Sequence, residues 1–182
     1  MKKLVLVFAF AAVTIAGYSQ KGTVMVGGEA MYPKKDIVSN AVKSADHTTL
    51  VGAVKAAGLV ETLQSEGPFT VLAPVNDAFE NLPEGTVASL LKPQAKSELT
   101  AVLTYHVLPG NYGFDEIATA IKKGGGKATM KTVQGASLTF MMNGKRNIVV
   151  MDSSGNTANI TTYDVNQSNG VIHVIDAVLL PS

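Results

Sequence analysis

The chain of 182 residues has no cysteine and no tryptophan, and only 6% of it is aromatic and 16% charged. Without cysteine there is no disulfide framework, no cysteine-ligated zinc site and no lipid-modified N-terminal cysteine. The charge deficit, against roughly 25% in an ordinary soluble chain, comes with near balance, 15 Lys+Arg against 14 Asp+Glu. Such a balance lacks the basic footprint of a nucleic-acid binder, and no nucleic-acid partner is expected. Long apolar runs are missing too. The longest, LVLVFAFAAVTIAG after Met1-Lys2-Lys3, is too short to span a bilayer comfortably and has the basic start of a secretory signal. Residues 1–20 are therefore read as a signal peptide cleaved between 16 and 22, with no transmembrane anchor left after cleavage. Its loss removes Lys2 and Lys3 and no acid, leaving 13 Lys+Arg against 14 Asp+Glu. The product is expected in the periplasm or outside the cell.

What is present is a 46% apolar chain of a length suited to one core. The Gly-rich stretch 21–32 reads as a flexible lead-in, and 33–182 as a single domain. Asp36 is a helix N-cap followed at helical spacing by Ile37, Val38, Ala41, Val42 and Ala45. A second helix carries Leu50, Val51, Val54 and Ala57 and stops near Gly58. His47, at the junction, reads as a surface or capping residue. Phe69 to Ala73 suits a buried strand that Pro74 ends, and Asn76 or Asp77 then caps a short helix whose Phe79 and Leu82 share a face. Val87, Leu90 and Leu91 allow another short helix. From Ser97 onward, Leu99, Val102, Leu103 and His106 fall on one buried face, and Pro109-Gly110 turns the chain.

Residues 111–121 predict a helix capped near Asp115, and 122–127, KKGGGK, a loop that lacks the pattern of a phosphate loop. From Ala128 the period becomes two. Segments 129–133, 137–142, 147–151 and 158–162 read as strands, with Asn143-Gly144 and Ser154-Gly155 as turns. Val171 to Leu180 reads as a strand pair or one long bent strand. Helices first and hairpins later imply an α+β domain, a sandwich flanked by helices.

Three blocks carry a family resemblance. FTVLAPVNDAFENLP from Phe69, Tyr105-His106-Val107-Leu108-Pro109-Gly110, and NGVIHVIDAVLLP from Asn169 resemble, in order, the signatures of the fasciclin domain. The resemblance covers about Tyr32 to Pro181 and implies a seven-stranded β-sandwich or wedge with a flanking layer of short α-helices. Its structural signature falls on Thr70, Pro74, Asn76, Asp77, Phe79, His106, Gly170, His173 and Asp176. Val75 departs from it, standing where many relatives carry Thr or Ser as the helix cap. Fasciclin proteins mediate cell adhesion or matrix association, so the implied role is a cell-surface or extracellular-matrix interaction module, not an enzyme. Its implied partner is a surface or matrix protein or polysaccharide. The tyrosine-histidine segment is linked to receptor binding in animal relatives, which carries over to Tyr105, His106 and, beside them, Leu108. Because the first two blocks lie close together in fasciclin domains, the His106 ring is expected to bond an oxygen of the Thr70 to Asp77 corner.

The residues themselves offer little chemistry. His47, His106 and His173 share no ligand spacing, so neither metal nor cofactor is expected, and His173 reads as a satisfied core histidine. Asp152 to Asn156 is oxygen-rich but reads as a hairpin turn rather than a calcium loop. No serine lies in a nucleophile elbow. Lys122, Lys123, Lys127 and Lys131, with Lys145 and Arg146, form a possible basic patch. The alternative to an interaction module is a carrier whose cleft between helices and sandwich holds a lipid or pigment.

Overall fold

The computed structural model describes residues 22–181; the expected signal peptide lies outside them. The domain is α+β. Seven strands form one mixed sheet: β3 (Phe69–Pro74), β4 (Val107–Pro109), β5 (Lys127–Lys131), β6 (Ser137–Asn143), β7 (Asn147–Met151), β8 (Thr157–Gln167) and β9 (Gly170–Ile175), in the spatial order β4-β3-β9-β8-β7-β6-β5. Every neighbouring pair is antiparallel except β3 and β9, which run parallel from Phe69 opposite Gly170 to Pro74 opposite Ile175. Register shifts in β8 between Ile160 and Val165 help the sheet to bend. It curls until its two ends meet, where Val133 just beyond β5 donates its N–H to the Val107 carbonyl at 2.7 Å. The expected seven-stranded β-sandwich or wedge with its layer of short helices thus takes the form of a single, nearly closed sheet.

Alternation along β3 divides the core. Val71 and Ala73 face one cluster and Leu72 the other, as period two requires. The Leu72 side fills the curl with Tyr105, Ile117, Phe140, Ile148 and Val150. The Val71 side is roofed by short helices: α1 (Ile37–Ala41), α2 (Thr48–Ala57), α3 (Val60–Gln64) and α6 (Lys96–Tyr105). Two more, α4 (Asn76–Glu80) and α5 (Thr86–Leu90), connect β3 to α6. α7 (Phe114–Lys123) packs on β5 and β6 with Ile117 and Ile121 buried.

Four local expectations are corrected. The 21–32 stretch is structured: β1 (Val24–Val26) and β2 (Glu29–Met31) pair around Gly27-Gly28, both at positive φ, and bury Val26 and Met31 against the helices. The first helix ends at Ala41, so Val42 is exposed, because the chain turns there toward a 3-10 turn at Ala45–His47. His47 is buried, with Nδ1 2.8 Å from the Ser44 hydroxyl. The last apolar run is one strand ending at Ile175, followed by an irregular tail whose Val178 and Leu179 are buried. α3, five residues with only Leu63 buried, is too short for a helical period to mark it.

Candidate functional site

The three signature blocks meet around the end of α6. Tyr105, His106 and Leu108 are buried, with 0%, 3% and 0% of their surfaces exposed. Tyr105 donates its hydroxyl to the Ser137 carbonyl at 3.1 Å and accepts the Ser153 N–H at 3.3 Å. The His106 Nε2 lies 3.0 Å from the Leu179 N–H. A backbone N–H can only donate, so Nε2 is the bare nitrogen and Nδ1 carries the proton, given to the Val102 carbonyl at 2.8 Å. Burial pushes the imidazole down to about 4, against the weaker upward pull of the Val102 carbonyl and the Asp152 charge. His106 is a neutral strut. A partner approaching the folded surface meets none of these three side chains.

The expected bond from the His106 ring to the Thr70–Asp77 corner is absent. The contact is made by the backbone, the Leu72 N–H reaching the His106 carbonyl at 2.9 Å. Thr70, fully buried, donates to the Gly110 carbonyl at 2.8 Å and accepts the Tyr112 N–H at 2.9 Å. Pro74 closes β3 as expected of a residue that cannot donate. The capping expectation fails in an informative way. α4 begins after Val75 with no side-chain cap. The Asn76 carbonyl instead accepts from the Thr49 N–H at 3.0 Å and the Thr48 hydroxyl at 3.1 Å, and its amide donates to the Ala45 carbonyl at 2.8 Å. It caps α2, a helix that precedes it in the chain. Asp77 is exposed in the first turn of α4, and Phe79 packs half-buried against Ala78, Val102 and Val178.

In the closing block, a Cβ on Gly170 would overlap the Phe69 carbonyl oxygen, so glycine is what allows β9 to enter beside β3. His173 is fully buried; its Nδ1 accepts the Asp164 N–H at 3.3 Å, so Nε2 donates to the Tyr112 carbonyl at 2.8 Å. Burial lowers its pKa, opposed by that carbonyl and by Asp164. Asp164, at φ 55, accepts the Phe114 N–H at 2.8 Å and so caps α7 in place of Asp115. Asp176 holds both the N–H and the side-chain amide of Asn159, at 2.7 and 2.8 Å. Asp152 is buried and accepts the Ser154 and Asn156 N–H groups, each at 2.9 Å, as a hairpin-turn aspartate does. Among the described residues no three His, Asp or Glu side chains stand where they could share a metal ion.

Two features of the described residues are open to a partner and differ in chemistry. The first is the basic end of the sheet. Lys122, Lys123, Lys127, Lys131, Lys145 and Arg146 are all exposed. Lys127 pairs opposite Met141, two residues before the β6–β7 turn that carries Lys145 and Arg146, and the end of α7 joins β5 through Gly124 to Gly126. Five of the six cations therefore share one end of the sheet, with Lys131 further along the same face of β5. No Asp or Glu occurs from residue 117 to residue 151. The second is a cavity of about 200 Å3 between the sheet and α1, α2 and α3, with almost wholly apolar walls.

Comparison with known proteins agrees with this architecture. Residues 45–181 match the model of the Fasciclin domain, and the chain belongs to that family. The match begins at Ala45, downstream of the β1–β2 hairpin and α1. Protein sll1483 of Synechocystis sp. is 49% identical over 146 residues, 80% of this chain and 73% of that protein. The cell surface glycolipoprotein MPB83 of Mycobacterium bovis is 33% identical over 168 residues, 91% of this chain and 68% of its own length. The solved FAS1 domain pair of the insect cell adhesion molecule Fasciclin I matches with a TM-score of 0.71 at 18% identity, a likeness of fold, over 81% of this chain and 51% of that one. No helix among the described residues is long and apolar enough to cross a membrane.

Proposed function

We propose that this protein is an exported interaction module that attaches to an acidic polysaccharide of the cell surface or matrix through the basic end of its sheet. One observation carries the reading: six exposed cations and no acid lie between residues 117 and 151, although the whole chain is close to neutral. All 14 acids lie outside that span, so the net positive charge of the span stands against a net acidic remainder of the chain. The family is one of interaction modules, and MPB83 is by name a cell-surface protein. The burial of Tyr105, His106 and Leu108 supports a framework role for that segment and moves recognition elsewhere.

Retention of the protein on alginate beads, with neutral dextran as control, tests this. Exchanging Lys122, Lys123 and Lys127 for Ala should shorten retention at low salt and change little at high salt, where charges are screened within about 3 Å at 1 M. Equal retention of variant and parent overturns the assignment.

A second reading, a carrier of a small apolar ligand, draws support from the cavity under α1, α2 and α3.

A further inference from the structure

Folded interiors are close-packed, and voids much larger than a water molecule are few. An apolar space of about 200 Å3 in a domain this small is therefore unusual. Val38, Leu50, Val54, Leu63, Val71 and Ile172 line it, so a water inside would lack hydrogen-bond partners. Left unfilled, such a space forfeits the contacts its walls could make.

The size limits the occupant. An engineered apolar cavity of about 150 Å3 takes one benzene, and drug-sized ligands occupy about 300 Å3 or more. The present space suits a slim hydrocarbon of about eight carbons, too short for a long-chain pigment.

The mouth limits it further. Val42 and Val133 both line the cavity and are both 46% exposed, so apolar surface runs from the interior out to solvent. Lys55, on α2, is the one lysine or arginine among the lining residues, and no acidic residue lines the cavity. It is exposed, and a lysine in such a place can lay its stem along an apolar wall while its ammonium stays in water. His106 also lines the space, as the neutral strut described above.

We propose that this cavity binds a medium-chain carboxylate such as octanoate, its chain between the helices and β3 and its head group at Lys55. The proposal rests on the carrier reading and adds the ligand's chemistry to it.

Titration calorimetry of the full chain against hexanoate, octanoate, decanoate, dodecanoate and octan-1-ol tests it. Affinity should rise about fourfold per added methylene and level off once the chain outgrows the cavity. Octanoate should bind severalfold more tightly than octanol, and Lys55→Ala should erase that advantage while leaving octanol unchanged. Ala41→Phe, which fills the space from the end of α1, should abolish both; the chain-length series and the exposed Lys55 variant decide the matter even if that variant folds poorly. Equal binding of octanoate and octanol, unmoved by Lys55→Ala, leaves the carrier reading standing and overturns the carboxylate. Absence of binding in every arm overturns both.

Discussion

The His106 ring accepts the Leu179 N–H at 3.0 Å, fastening the end of α6 to the tail that follows β9. Leu179 is fully buried, so its amide has no recourse to water if the ring is removed.

His106→Ala should therefore cost about 1–3 kcal/mol from the orphaned Leu179 amide alone, with lost packing in addition. Asp77→Ala, at an exposed site, should cost less than about 0.5 kcal/mol, and the double variant should be additive because the two side chains do not meet. Urea midpoints of the four proteins measure this; a clear departure from additivity would contradict the geometry.

Acid should weaken the fold earlier than its carboxylates require. Burial lowers His47, His106 and His173, the second to about 4, so between the ordinary histidine value of 6.5 and that level the unfolded chain binds more protons than the folded one. Stability then rises with pH across this window and is lost as pH falls through it. Asp36 acts only lower: burial raises it, but the hydrogen bonds from Ser39 and from the Asp36 and Val38 backbone together hold it below 3.8. Urea midpoints between pH 7.5 and 4.5 should fall steadily, with a shallower slope in a folded His106→Asn variant.

Asn76→Ala removes three bonds that hold the start of α2, and should cost about 1–2 kcal/mol. Thermal melts should show that loss, and amide exchange should quicken first at Thr49 and its neighbours in α2 rather than in α4.

Gly170→Ala should be far more damaging than Gly155→Ala. Both glycines have positive φ, but a Cβ at 170 meets the Phe69 backbone, whereas at 155 it meets open space. Soluble yield and melting temperature of the two variants compare a steric clash with conformational strain alone.

Much of this was legible locally. The β6–β7 hairpin follows from alternation across Asn143-Gly144, and the burial of His106 from its spacing after Leu99, Val102 and Leu103. What escaped depends on distant partners. Asn76 sits where a helix cap is expected, yet its carbonyl is used by Thr49, 27 residues earlier, and nothing near Asn76 encodes that distance. His47 is buried because its turn folds against the β1–β2 region, where Ala45 donates its N–H to the Gly27 carbonyl at 3.2 Å. That hairpin had a signal, the Gly27-Gly28 pair, but strands of three residues are too short for a period to show. The basic residues were readable as a cluster, Lys145 and Arg146 among them; which end of the sheet they occupy needed the register of β5 against β6.

The parallel pairing of β3 with β9 has a consequence for how the molecule is made. A strand begun at Phe69 gains its inner neighbour only when Gly170 to Ile175 exist, about a hundred residues later. Closing a loop of that length is slow compared with local hairpin formation. During synthesis β3 therefore has only the short β4 beside it, and the sheet cannot close around its core until β9 arrives. A chain whose two halves are joined by the strand made last, β9 between β3 and β8, stays pliable for most of its synthesis and gains its closed core only at the end.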